Sequence, residues 1–104
     1  MALYFAIRTK ATRPEMRTEG LNERERASYV RHVAWLQRKV DEGAMIFVGR
    51  TASIATTSWA LGVIKADTKE AAQAIMNEDP FVEDGVAIPE LFDFEIIRVE
   101  PQNL

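Results

Sequence analysis

The chain of 104 residues is 47% hydrophobic and 28% charged, the balance of one soluble globular domain with a small core. A formal charge of −3 gives nucleic acid and anionic membranes little to hold, and the absence of cysteine excludes disulfides, a thiolate nucleophile and a cysteine-based zinc site. No apolar run reaches the length of a membrane span, so the expectation is a single cytoplasmic domain over residues 1–104.

Residues 2–9 are apolar on both sides, with Leu3, Phe5 and Ile7 alternating against Tyr4 and Ala6 and Arg8 near the end. That pattern predicts a central strand covered on both faces. Residues 10–21 hold Pro14, Gly20 and many charges, and read as a long loop of the kind that often serves as a lid. The longest helix follows. Asn22 with Glu25 makes a capping box and Gly43 sits where a C′ glycine belongs. At roughly 100° per residue, Tyr29, Val33, Leu36 and Val40 form the stripe expected to be buried. His32, the only histidine, lies on one flank with Ser28, Trp35 and Lys39. Trp35 is therefore expected off the core, facing a pocket or another subunit.

Residues 44–50 and 58–66 read as two strands of a hairpin around a turn at 51–57. Asp67, with Glu70 three residues on, is the expected N-cap of a second helix whose apolar side is Ala71, Ala72, Ala74 and Ile75. Pro80 stops it. Residues 81–90, with Gly85 and Pro89, read as a loop, 91–99 as the last strand and 101–104 as a tail. The order β-α-β-β-α-β is a ferredoxin-like α+β arrangement with a four-stranded antiparallel sheet. Two helices cover one face of such a sheet. The other face also carries apolar residues, so a homodimer with packed sheets is expected.

An imidazole can both take and give a proton, so His32 suits general acid/base work if a carboxylate orients it. Taken alone, a single helical histidine more often has no task. Asp79, in Asp79-Pro80-Phe81, is a carboxylate at the unfavourable end of a helix. Either it opens a turn with Pro80 second, or it pairs with His32; spacing does not choose between them. Arg8 and Tyr4 share one face of the first strand and offer a cation and a hydroxyl for a polar substrate group, although a strand-end arginine and a core or interface tyrosine are the commoner roles. With no second histidine there is no metal-ligand spacing, and no phosphate loop or nucleophile elbow is present. Asp41, Glu42, Glu83 and Asp84 read as solvated charges near turns.

Arg31-His32 within a helix ending at Gly43, then a strand with Gly49, then Asp79-Pro80-Phe81 leading to Gly85-Val86, resembles the YciI-like (YCII-related) domain proteins over nearly the whole chain. The resemblance implies a ferredoxin-like fold forming a dimeric α/β barrel. It also implies a site in which the helix-borne histidine and the aspartate of the DPF triplet, here His32 and Asp79, act together. One branch of the family resembles a dehydrochlorinase acting on a chlorinated ring intermediate. The charged loop 10–21 departs from the family pattern.

The resulting expectation is a small enzyme without cofactor or metal. His32 and Asp79 would be catalytic and Ser28, Trp35, Arg8 and Tyr4 would bind a small organic acid, in isomerase, lyase or dehydrochlorinase chemistry. The alternative is a non-catalytic small-molecule-binding or accessory dimer in which His32 and Asp79 are a structural pair.

Overall fold

A computed structural model describes residues 2–103. Its elements run β1 (Leu3–Ala11), α1 (Met16–Glu19), α2 (Glu23–Asp41), β2 (Met45–Arg50), β3 (Ala60–Ala66), α3 (Lys69–Glu78), α4 (Pro80–Glu83) and β4 (Ala87–Phe94), then a 3-10 turn at Pro101–Asn103. The strands form one antiparallel sheet in the order β2-β3-β1-β4. The ferredoxin-like order is present, with α1 and α4 inserted into the two segments expected to be loops.

Period-two alternation along β1 sends Phe5 and Ile7 to one side, where Ile64 of β3 stands opposite Phe5. These three pack with Met45, with Trp35 of α2 and with Ala72 and Met76 of α3, so both long helices lie on this face. The opposite face carries Tyr4, Arg8, Leu61, Phe92 and Phe94. Phe47, Phe92 and Phe94 are left 40–48% exposed in the single chain.

The capping box of α2 forms as expected, with Glu25 N–H donating to Asn22 Oδ1 at 2.8 Å and Asn22 N–H to Glu25 Oε1 at 2.9 Å. Gly43 closes the helix at φ +78°, where its N–H donates to the Val40 carbonyl and the Ala44 N–H to that of Lys39.

The buried face of α2 is not the expected one. Tyr29, Val33 and Val40 are 44–47% exposed and Leu36 is half-buried, whereas Glu25, Ser28 and Trp35 are buried. The face has rotated because polar side chains on it find partners on other elements: Arg13 for Glu25, Asp79 for His32 and Glu78 for Lys39. A polar group with such a partner is buried at little net cost. Trp35, expected off the core, is 3% exposed within it, in one cluster with residues of β1, β2, β3 and α3.

Several boundaries also differ. Thr68, not Asp67, caps α3, its Oγ1 accepting from the Ala71 N–H at 3.0 Å. The buried residues of α3 are Ala72 and Met76, with Ala71 and Ala74 outside. The last strand ends at Phe94 and begins at Ala87, four residues before the expected start. Pro89 was a reason to expect a loop there, but β4 is an edge strand, where a missing backbone donor is tolerated. Residues 95–100 lie outside any strand, with Ile97 90% exposed. Position 104 of the expected tail lies outside the described residues.

Candidate functional site

Asp79 is the only residue between α3 and α4 and serves both, as C-cap of the first and N-cap of the second. Its backbone, at φ −60° and ψ 121°, leaves the helical region because Pro80 follows. The chain therefore turns, and the Asp79 Oδ1 accepts the Phe81 N–H at 2.9 Å. The charge that faced the wrong pole of α3 is met by a donor at the start of α4.

His32, midway along α2, completes the arrangement, its Nδ1 lying 2.7 Å from the same Oδ1. A carboxylate oxygen here accepts, so in the neutral ring Nδ1 carries the hydrogen and Nε2 keeps its lone pair. The Phe81 ring lies on the imidazole with centroids 4.1 Å apart and planes 7° from parallel. Tyr29 flanks both rings, 6.3 Å from His32 and 6.1 Å from Phe81. The imidazole is thus fixed at one nitrogen and over one face. Its other nitrogen has no hydrogen-bond partner among the described residues.

Ser28 is fully buried and donates its hydroxyl to the Pro80 carbonyl at 3.3 Å, fastening the α3–α4 joint to α2 one turn before His32. Arg31 pairs with Asp84, and Arg24 donates to the Asp84 carbonyl, so Asp84 fastens the turn after α4 to α2 and is not merely a solvated charge. Trp35 donates its indole N–H to Glu78 at 3.4 Å, and Lys39 meets the same carboxylate at 2.8 Å. The Lys39 ammonium holds the Glu78 carboxyl below the ordinary glutamate range, and Glu78 in turn raises Lys39.

His32, Asp79, Phe81, Tyr29 and Trp35 share the wall of a cavity of about 420 Å³. It lies between α2 and the end of the sheet where β1 and β2 finish and β3 begins. The loop before α2 supplies another wall. Arg13 grips Glu25 with two nitrogens, at 2.9 and 2.7 Å, and Met16 packs on Phe81, Val86 and Ala87. That anchoring places Met16 and Arg17 in the cavity lining.

Of the residues singled out from sequence, His32, Asp79 and Trp35 come together in this cavity. Ser28 lies beneath it and holds the backbone of Pro80. Tyr4 and Arg8 do not reach it. Ile7 and Thr9 point toward α2, so alternation carries Tyr4 and Arg8 to the opposite face, where the Arg8 guanidinium sits 5.1 Å from the centre of the Trp59 ring. Sequence reasoning assigned no site role to Phe81, Met16 or Arg17, and it placed Tyr29 in the stripe expected to be buried. Phe81 stood inside the DPF triplet and Arg17 inside the long loop, but no periodicity connects either to His32.

The model for the YCII-related domain matches residues 4–95. The structure of 5-chloro-2-hydroxyhydroquinone dehydrochlorinase (TftG) from Burkholderia phenoliruptrix, in complex with 2,5-dihydroxybenzoquinone, is similar to this one with a TM-score of 0.65. The two share 14% identity over 89% of this chain and 94% of that one. At such identity the likeness establishes the fold. No curated protein matches the sequence.

Proposed function

The chain belongs to the YCII-related domain family, and from that premise we propose that it is a small-molecule enzyme, independent of cofactors, in which His32 is the general acid/base and Asp79 its orienting carboxylate. The observation that carries the proposal is the 2.7 Å contact between His32 Nδ1 and Asp79 Oδ1 in a cavity wall, with Nε2 unclaimed. Asp79 fixes the tautomer that exposes the Nε2 lone pair and stabilises the imidazolium formed when that nitrogen takes a proton. Return of the proton to another atom of the substrate gives an isomerisation. Loss of a leaving group instead gives an elimination, which is the dehydrochlorinase type of reaction named for the structural neighbour. The substrate class is a small organic acid, cyclic and small enough for the cavity.

The test is exchange of carbon-bound hydrogen in deuterium oxide, followed by NMR over a panel of small ring acids. A general base of this kind is worth about 10²–10⁴-fold, and His32→Ala should lower the exchange rate by that factor while the fold persists. Full exchange by His32→Ala would remove the catalytic assignment and leave a binding dimer with a structural His-Asp pair.

The same reading includes a homodimer. It is supported by the helix-free face of the sheet, where three phenylalanines are 40–48% exposed. Sedimentation at micromolar concentration should show a mass near twice 11.8 kDa, and a monomer throughout would refute it.

A further inference from the structure

Four of the basic side chains of this acidic protein, Arg13, Arg31, Lys39 and Lys69, meet carboxylates. Among the described residues Arg17, Arg50 and Lys10 meet none, and all three line the cavity that holds His32; of these only the two arginines carry a forked guanidinium. Arg17 projects from α1. Its Nε is shut off from solvent and has no hydrogen-bond partner among the described residues. A charged donor in that condition is costly, and an anion supplied from outside relieves the cost. Arg50 ends β2 opposite Ala60, on the same side as Val48 and Gly62, which also line the cavity. Among the described residues the only acidic one in the lining is Asp79, already engaged by His32 and the Phe81 N–H. The cavity is therefore cationic in a chain of net charge −3. Beside the two guanidinium groups, its walls carry the rings of Tyr29, His32, Trp35 and Phe81.

We infer that Arg17, assisted by Arg50, is the anion-holding group of this site, and that its ligand is a small aromatic or planar cyclic carboxylate. The carboxylate meets the guanidinium groups and the ring lies among the aromatic side chains, within reach of His32. A forked guanidinium suits a carboxylate better than a lysine does. The anchored loop explains why the cation stays at the wall: Arg13 on Glu25 and Met16 on Phe81 hold α1 against the site. This inference deepens the acid/base reading and uses its site, but it concerns binding and stands without turnover.

The test compares benzoate with its neutral isostere benzamide, titrated by NMR into the full chain. Wild type should bind benzoate with a dissociation constant below about 10 mM and prefer it to benzamide. Arg17→Gln should weaken benzoate by about 10- to 100-fold and leave benzamide unchanged, with a smaller loss for Arg50→Gln. Arg17→Lys, which keeps the charge without the fork, should fall between. Benzoate binding is read without turnover, so a failed catalytic assignment leaves this result standing. An unchanged benzoate-to-benzamide preference in folded Arg17→Gln, or no benzoate binding by wild type, would overturn it.

Discussion

Asparagine and alanine at position 79 should behave differently, because Asp79 does two things through one oxygen. Its Oδ1 accepts both the Phe81 N–H at 2.9 Å and His32 Nδ1 at 2.7 Å. Asp79→Asn keeps an acceptor oxygen there and removes the charge. The Phe81 N–H stays satisfied, and the histidine contact falls from a charge-assisted to a neutral hydrogen bond, a loss of about 1 kcal/mol. Asp79→Ala removes that acceptor, ends both contacts and strands a buried N–H, which adds about 1–3 kcal/mol. For a domain of this size each kcal/mol is about 4–8 °C in Tm, so thermal unfolding separates the two variants. The single histidine makes a second readout unambiguous, since every imidazole ¹⁵N signal is His32. The neutral ring should be the Nδ1–H tautomer in wild type and Asp79→Asn, and should lose that preference in Asp79→Ala. Equal destabilisation by both variants, with the same tautomer in both, would show that Asp79 neither caps α4 nor orients His32.

Ser28→Ala should cost less than about 1 kcal/mol by urea titration, because the Pro80 carbonyl also accepts the Asp84 N–H at 2.8 Å and stays satisfied. Trp35→Ala should cost about 3–5 kcal/mol in the same assay, with Trp35→Phe well below it, since the indole is 3% exposed in the main core. The hydrogen bonds from Arg13 hold the Glu25 carboxyl below the ordinary glutamate range. Its stabilisation is therefore fully present above the unfolded value of about 4.3 and is lost as pH falls through the lower folded value. Glu25→Gln should be less stable at neutral pH and show a flatter acid limb; equal slopes below pH 4 in the two proteins would contradict this.

Much of the fold was legible because local signals and tertiary packing agree. The Asn22–Glu25 box, Gly43 and the alternation of Phe5 and Ile7 against Tyr4 all specify the element observed. The lid loop was legible as a segment but not as a wall, because what makes it one is the long-range grip of Arg13 on Glu25. The start of β4 was missed because Pro89 forbids a central strand but not an edge strand, and edge position is a property of the sheet. His32 and Asp79 lie 47 residues apart. No spacing rule joins them; the family resemblance did.

The error in the α2 stripe bears on function. A hydropathy wheel assumes that the buried side of a helix is its apolar side. Here the apolar flank with Tyr29 and Val33 lines the cavity, while the buried face holds Glu25 and Ser28 and the half-buried His32 and Lys39. Each of these four bonds to a different residue: Arg13 of the loop before α2, and Pro80, Asp79 and Glu78, which are consecutive at the α3–α4 joint. Apolar residues there would pack the helix as well, and without four separate partners to align. A helix that instead spends its buried face on such partners is fixed in rotation about its own axis, and that rotation aims His32 at the cavity. Local rules tend to fail where a chain serves something other than stability, and α2 breaks them along the flank that carries its imidazole.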